Sequence, residues 1–328
     1  MSALPLDPDD EPPVRVDTPD ELASVAIVQV GLVTTEQARA AGVTDRRIST
    51  LVRRGRWRRV TRGVLDARIG PLHEVPWNAR RRRAAWAGLL AYGPEAVAVG
   101  TSALALLRVA GLPTTITSEV ALPGASDRRS RDGLRLRQFD DGMTTIEVAG
   151  RLVADPRWAL AQAVPELSRR RALAVLDCSL HRKLLRPSEL LVAHELARGR
   201  RGVARTHLLW ELADARAGSP LESFGRLDCV DAGIPPDVLQ LPLDDSPYPE
   251  RGDLGWYLGD DRWLVAEIDG EEVHSAPVAV YADRARQNRM VSTGRFIVLR
   301  FTNQDLDGVI SQTVLRTLRR LRRRGGTE

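Results

Sequence analysis

The sequence predicts an α+β protein of several domains, and three observations carry this prediction. Helix-capping residues recur at short intervals near the start, apolar residues take a helical spacing through the middle, and strand-like segments carry acidic residues in the last third. The chain has 328 residues, enough for two or three domains. We expect a disordered leader over 1–19, a small helical domain with a hairpin over 20–70, a mainly helical middle domain with a small β insert over 71–215, and an α/β domain over 216–323.

Positive charge is concentrated at particular places in the chain. The formal net charge is only +5, but arginines cluster within residues 53–59, 80–83 and 319–324. Local positive patches, more than net charge, attract a polyanion such as nucleic acid. Any one cluster is equally explained as the solvated face of a helix. Lysine is almost absent, which indicates a general preference for arginine in this chain, so arginine abundance alone is weak support for nucleic-acid binding.

Cysteine use and hydropathy favour a cytoplasmic protein without a membrane partner. Cys178 and Cys229 have neither a pairing pattern nor the spacing of metal ligands, which fits a reducing compartment. No apolar run approaches the roughly 20 residues of a membrane-spanning helix. The first 19 residues are acidic and rich in proline, which is typical of a disordered leader and not of a signal peptide.

Three short helices are predicted between residues 20 and 54. The first begins near residue 20 with Thr18 or Asp20 as its cap. Thr34 caps the second helix, and Gln37 stands three residues later, as a capping box requires. After a turn, Thr44 caps the third helix, over 45–54. This spacing is typical of a helix-turn-helix.

The third helix has a basic face, and a basic hairpin follows it. Ile48, Leu51 and Val52 lie on one side of this helix, which leaves the other side to polar residues. After residue 55, apolar and basic residues alternate around Gly63, which predicts a hairpin wing. A winged helix-turn-helix places its third helix in the DNA major groove and its wing on the backbone or minor groove. The candidate DNA-contacting residues are Arg46, Arg47, Thr50, Arg53, Arg56, Arg58 and Arg59. The alternative is a structural helical bundle with a basic rim.

Two segments of this region resemble a known family. Residues 34–43 read TTEQARAAGV and residues 55–64 read GRWRRVTRGV. Both are similar to the winged-helix domain of AbiEi-type antitoxins, which belong to type IV toxin–antitoxin systems. The resemblance covers about the first 70 residues. It implies a DNA-binding autoregulator whose protein partner is a toxin or a second copy of the chain.

The middle of the chain offers no catalytic spacing. His181, His194 and His207 are isolated on predicted helices, and we interpret them as surface or packing residues. We expect this region to join the two ends and to provide a protein interface. Its predicted helices are 77–92, 101–109, 171–185, 187–197 and 203–213, and its strand-like segments are 118–123, 134–139 and 146–153.

From Ser219 onward the pattern becomes α/β, and acidic residues gather in it. Ser219 caps a predicted helix whose first turn contains Glu222. The next acidic residues lie on a predicted hairpin of strands 253–258 and 262–269. A three-residue loop between these strands would put Asp253 directly opposite Glu267. Asp269 shares a face with Glu267 because it lies two residues further along the strand.

Three carboxylates on one face would repel one another, so they would raise one another's pKa or recruit a cation. Mg²⁺, or Mn²⁺ in its place, suits oxygen ligands and supports phosphodiester hydrolysis. We therefore predict Asp253, Glu267 and Asp269 as metal ligands. Glu222 completes the coordination or positions water, and His274 serves as general acid or base. The alternative is that each acidic residue only forms a turn.

Residues 219–306 resemble the PD-(D/E)XK nuclease fold, in the branch similar to very-short-patch repair endonucleases. Asp253 takes the place of the family's metal-binding aspartate and Glu267 that of its (D/E) residue. Asp269 stands where the family has lysine, so Arg286 or His274 substitutes for it or the site is weak. The resemblance implies a Mg²⁺-dependent endonuclease acting on duplex DNA, with RNA left open. The alternative function is a transcriptional regulator in which a restriction-endonuclease-like fold is catalytically inactive.

Overall fold

The computed structural model describes residues 14–124, 128–244, 250–269 and 294–324, with side chains as far as Leu321. The chain divides into two compact units. The first contains Met1–Leu167 and Leu185–His207, and the second contains Ser168–Leu184 and Leu208–Glu328. The sequence-predicted middle domain, 71–215, is therefore shared between both units. Among the described residues, no helix combines the length and apolar character needed to cross a membrane.

The first unit begins with three helices and a three-stranded antiparallel sheet of order β1-β3-β2. Leu22, Ile48, Leu51, Trp57 and Leu65 belong to the buried core of this domain. The predicted series of three helices followed by a hairpin is confirmed. The elements are α1 (Asp20–Val28), β1 (Leu32–Thr34), α2 (Thr35–Ala40), α3 (Asp45–Arg53), β2 (Arg58–Thr61) and β3 (Val64–Asp66).

The caps of α2 and α3 are as predicted. The backbone N–H of Gln37 donates to Thr34 Oγ1 at 3.0 Å, and the N–H of Thr34 donates to Gln37 Oε1 at 2.8 Å. Thr44 Oγ1 accepts a hydrogen bond from the N–H of Arg47 at 3.3 Å. These bonds satisfy backbone donors that the first turn of a helix leaves without a partner.

The start of α1 differs from the prediction. Its N-cap is Pro19 and no side chain caps it, so neither Thr18 nor Asp20 has the predicted role. Paired structure also begins before residue 20. Val16 forms a bridge with Arg68, and Trp57 Nε1 donates to the carbonyl oxygen of residue 17 at 2.8 Å. The last residues of the expected leader therefore belong to the fold.

The rest of the first unit contains a five-stranded sheet of order β6-β5-β4-β8-β7. The predicted single strand over 146–153 is in fact the hairpin β7–β8. Its turn residues, Ala149 and Gly150, both have positive φ, 48° and 74°. The two-residue strand β4 was not predicted because it is too short to show alternation. The elements are α4 (Trp77–Tyr92), β4 (Val97–Ala98), α5 (Gly100–Leu106), β5 (Glu119–Ala121), β6 (Arg135–Arg137), β7 (Thr145–Val148), β8 (Arg151–Ala154) and α6 (Pro156–Ala163).

Three helices follow: α7 (Arg169–His181) in the second unit, α8 (Pro187–Leu196) in the first, and α9 (His207–Leu212) at the boundary. The second unit then forms a four-stranded mixed sheet of order β12-β11-β10-β9, in which only the β11–β12 pair is parallel. Its elements are α10 (Pro220–Asp231), β9 (Val238–Pro242), β10 (Arg251–Gly259), β11 (Arg262–Asp269), β12 (Phe296–Thr302) and α11 (Val309–Arg324).

The β10–β11 hairpin keeps the predicted register with a different turn. The turn has two residues, Asp260 and Asp261, with φ of 52° and 57°. The register shifts between Tyr257 and Gly259, which adds one residue to β10 as a bulge. The extra strand residue compensates for the shorter turn. Leu254 therefore still pairs with Ala266. Counting one residue back along β10 and one residue forward along β11 places Asp253 opposite Glu267.

Candidate nucleic-acid interface and acidic cluster

Helix α3 has the basic face that the sequence predicts. Ile48 and Leu51 are buried in the core of the first unit, so the opposite side of the helix faces outward. Arg46 and Arg53 are exposed there, Arg47 is exposed one helical turn before Leu51 at the margin of the buried side, and none of the three forms an ion pair with any described residue. Thr50 is half-buried, and its hydroxyl donates to the carbonyl oxygen of Arg46 at 2.9 Å. Three exposed guanidinium groups of α3 are thus available to an anion.

The wing arginines differ from one another in their partners. Arg56 Nε donates to Asp17 Oδ2 at 2.5 Å, and Arg58 lies 3.2 Å from Asp66 Oδ2. These carboxylates weaken the attraction of both arginines for a phosphate. Arg59 is exposed and has no ion pair within the described residues. Of the three predicted wing residues, Arg59 is the one best placed to meet DNA.

The turn of the wing adds a residue that sequence reasoning missed. Strands β2 and β3 are joined by Arg62 and Gly63, and Gly63 has φ of 80°, which glycine adopts without strain. Arg62 is exposed at this tip. The sequence could have indicated Arg62 because this residue lies beside the turn glycine. Residues at the tip of a hairpin wing extend furthest from the domain.

The arginine cluster of residues 80–83 has a structural role. Arg83 is only 9% exposed and lies 2.8 Å from Asp66 Oδ2, while its Nη1 donates to the carbonyl oxygen of Val30 at 2.7 Å. Burial lowers the pKa of Arg83 to about 10, so it remains protonated at neutral pH. Arg81 donates to two backbone carbonyls, and Arg80 lies over an indole ring at 3.7 Å. This cluster stabilises the first unit.

The acidic cluster of the second unit is centred on Asp253. Its Oδ2 accepts a hydrogen bond from the N–H of Ile268 at 2.7 Å. Gln240 Nε2 donates to Glu222 Oε2 at 2.9 Å and lies 3.3 Å from Asp253 Oδ1. The N–H of Gly218 also donates to Glu222 Oε2, at 2.9 Å. The side-chain amide of Gln240 therefore joins the carboxylate on α10 to the one on β10.

The expected repulsion is present at Asp253. Burial raises the pKa of Asp253 to about 7, and the negative charge of Glu222 adds to this effect. Glu267 and Asp269 raise it further by smaller amounts, while the hydrogen bond from the N–H of Ile268 opposes the shift. A carboxyl group with this pKa is half-ionised at neutral pH.

The remaining predicted metal ligands do not gather with Asp253 into a metal site. Glu267 is 3% exposed, and its Oε2 lies 3.1 Å from Arg300 Nε on the neighbouring strand. Asp269 pairs in register with Thr302 at the end of β11. Among the described residues, no group of three or more His, Cys, Asp or Glu side chains could hold a metal ion. As they lie here, these residues do not fit Mg²⁺ or Mn²⁺. The predicted acid or base, His274, lies outside the described residues.

Sequence reasoning missed Gln240 and Arg300 in this cluster. Gln240 lies within β9 but has φ of 54°, a left-handed conformation that is costly for a residue other than glycine. Such strained residues are common at functional sites. The available signal was a polar residue inside an apolar run, Gln240 in VLQLP and Arg300 in FIVLRF.

Two of the predicted isolated histidines are in contact. His194 Nε2 and His207 Nδ1, both in the first unit, are 2.7 Å apart. His207 is exposed and His194 is half-buried, in agreement with the interpretation as surface or packing residues, but the expectation that they are isolated is wrong. His181 Nδ1 lies 2.9 Å from the carbonyl oxygen of Ala215.

Comparison with known proteins gives a family match within the first unit and two similar proteins. Residues 20–65 match the family model described as "Transcriptional regulator, AbiEi antitoxin". Two proteins of Mycobacterium tuberculosis, "Uncharacterized protein MT2308" of strain CDC 1551 / Oshkosh and "Uncharacterized protein Rv2248" of strain ATCC 25618 / H37Rv, are each 35% identical over 158 residues. This match covers 48% of the chain and 57% of each relative, so it spans little more than half of their length. The N-terminal helices and hairpin are thus similar to the regulator domain of AbiEi antitoxins.

Proposed function

We propose that this protein is a DNA-binding transcriptional regulator of the antitoxin type, which acts in the cytoplasm and contacts duplex DNA through α3. One coincidence carries the proposal. The segment that resembles AbiEi regulators, residues 20–65, is the segment in which Arg46, Arg47 and Arg53 are exposed without acidic partners among the described residues. By the same likeness, its protein partner is a toxin or a second copy of the chain.

The packing of α3 supports this mode of binding. Because Ile48 and Leu51 anchor the helix to the core, its basic side has a fixed orientation. Arg46 and Arg47 lie in the first turn of the helix, where helix-turn-helix proteins contact base edges. Arg53 lies in the last turn, and Arg59 on the wing is placed to bind backbone phosphate.

The test is charge reversal on α3. We expect R46E/R47E/R53E to bind a duplex of the upstream region of its own gene more weakly. We also expect a flatter dependence of log K on log salt, by about 0.9 for each phosphate that the variant no longer neutralises. The control R186E/R198E/R201E reverses the same number of exposed arginines elsewhere in the first unit, two of which, Arg186 and Arg198, are paired with Glu189 and Glu195. Equal losses of affinity in both variants, or an unchanged salt slope in the α3 variant, would contradict the proposal.

We propose phosphodiester hydrolysis by the second unit, with the restriction-endonuclease-like fold, as a second candidate function. Its support is the partly buried carboxyl of Asp253, whose pKa of about 7 suits a general acid or base, beside Glu222. Further support comes from the mixed sheet, in which helix α10 is followed by three antiparallel strands and a parallel fourth. The lack of a three-ligand metal group among the described residues counts against it.

Plasmid nicking tests this second candidate. Supercoiled DNA is incubated with the protein in Mg²⁺ or Mn²⁺, beside the variant D253A/E267A and the control D260A, which alters an exposed turn residue. Hydrolysis by the second unit predicts nicking by the wild type and the control only. Equal nicking by all three proteins, or none by any, would remove the enzyme hypothesis and leave the regulator.

A further inference from the structure

A basic cleft lies beside the wing, within the first unit. It has a volume of about 740 Å³. One side is formed by the wing turn, Arg62 and Gly63, and by residues 34–36 at the start of α2. The other side is formed by residues 90–94, where α4 ends, and by residues 128–131 of the loop before β6.

Four arginines line this cleft, and the loop holds two of them firmly. Arg128 Nη1 donates to the carbonyl oxygen of Tyr92 at 2.7 Å, and Arg131 donates to the preceding carbonyl at 2.6 Å. The Arg131 guanidinium also lies 5.2 Å from the centre of the Tyr92 ring. The Tyr92 hydroxyl in turn donates to the carbonyl oxygen of Arg129 at 2.8 Å. This loop is therefore fixed against the end of α4, with its arginines at the cleft.

The two remaining arginines have no such structural role. Arg128 and Arg131 neutralise the last carbonyls of α4, which accounts for their presence without any ligand. Arg62 and Arg129, by contrast, are exposed and form no hydrogen bond through their side chains with any described residue. Arg131 Nε is buried and likewise has no hydrogen-bond partner among the described residues. Arg62 and Arg129 thus present donors to the cleft that the cleft's own structure does not use.

The charge and position of the cleft indicate its ligand. Glu36 is the one acidic residue among the described residues that line it, against four arginines. The cleft is open and shares the wing with the proposed DNA interface, since Arg59 and Arg62 lie on the same hairpin. We propose that this cleft binds the phosphate backbone of the duplex beyond the segment that α3 contacts, an inference that rests on the proposed DNA binding.

The test uses the full chain and a 30-base-pair duplex of mixed sequence, titrated across a range of KCl concentrations. The variant R62A/R129A removes the two arginines that lack a structural role, and R186A/R198A removes two exposed arginines outside the cleft. We expect the salt slope of R62A/R129A to fall by about 2 and its affinity at 0.1 M salt to fall on the order of ten-fold. The control R186A/R198A should keep the salt slope and the affinity of the wild type.

Backbone binding also predicts an equal fall in affinity on any duplex sequence, because phosphate contacts carry no sequence information. If R62A/R129A keeps the wild-type slope while R46E/R47E/R53E binds more weakly, the cleft inference fails and the proposed function stands. If the wild type does not bind DNA at all, the proposed function itself fails. If inorganic phosphate at constant ionic strength removes the difference between R62A/R129A and wild type, the cleft is a small-anion site and the inference is overturned.

Discussion

Asp253, in the second unit, has a carboxyl group whose pKa lies well above its usual value. Its carboxyl is partly buried beside Glu222, and the Gln240 amide reaches both groups. The N–H of Ile268 stabilises its ionised form, but burial and the neighbouring charges prevail and raise the pKa to about 7. A folded protein that retains such a group binds a proton more tightly than its unfolded chain does.

This shift makes stability depend on pH. Since the pKa of Asp253 rises from 3.8 unfolded to about 7 folded, its contribution is fully present below its unfolded pKa and is lost as the pH rises through 7. We expect Asp253→Asn to be close to the wild type in stability near pH 4 and to be more stable at pH 8.5, by up to roughly 4 kcal/mol.

Thermal unfolding at both pH values measures this difference. The control Asp260→Asn removes a charge from a side chain that is 91% exposed, and it should change stability little at either pH. A stability difference between Asp253→Asn and wild type that is the same near pH 4 and at pH 8.5 would show that the Asp253 carboxyl is not proton-linked to folding.

At the scale of elements, the turn and the bulge of the β10–β11 hairpin have opposite effects on its register. The β10–β11 hairpin has a two-residue turn where three residues were predicted, and its bulge at residue 258 restores the register. Asp260 and Asp261 both accept positive φ, which aspartate tolerates better than most residues. The alignment of Asp253 with Glu267 therefore depends on the sum of turn and bulge and not on the turn alone.

The packing of one side of helix α3 determines which of its residues face outward. Thr44 caps its start, and Ile48 and Leu51 hold one side against the core. The remaining side must then face outward, whatever binds it. The wing contributes less charge than its sequence indicates, because Asp17 and Asp66 neutralise two of its arginines.

At the scale of the whole molecule, each unit has its own buried ion pair. In the first unit, Asp66 is 4% exposed and lies 2.8 Å from Arg83. In the second, Asp177 is 1% exposed and lies 2.7 Å from Arg226, with Ser223 Oγ donating to it at 2.7 Å. Removing one member of such a pair leaves the other charge buried without compensation.

We expect Asp66→Ala and Asp177→Ala each to cost about 3–5 kcal/mol, but in different units. Calorimetry of the full chain should then show two transitions, with each variant lowering a different one. Asp45→Ala removes an exposed ion pair with Arg39, which water screens, so it should leave both transitions close to those of the wild type. A single transition that both variants shift equally would show that the units unfold together.

Features that depend on neighbouring residues could be predicted from the amino-acid sequence. The caps at Thr34 and Thr44 and the limits of α4 follow from side chains a few positions apart. These features could be predicted because the hydrogen bonds and spacings that produce them are local.

The tertiary structure decided which charges remain available. Arg53 and Arg83 belong to similar arginine runs, yet the first is exposed and the second is buried against Asp66. Glu267 pairs with Arg300, and Gln240 joins Glu222 to Asp253, across separations that no local pattern records. The reason is physical: burial and pairing depend on residues that are distant in sequence, and these alone determine whether a charge is neutralised or left to bind a ligand.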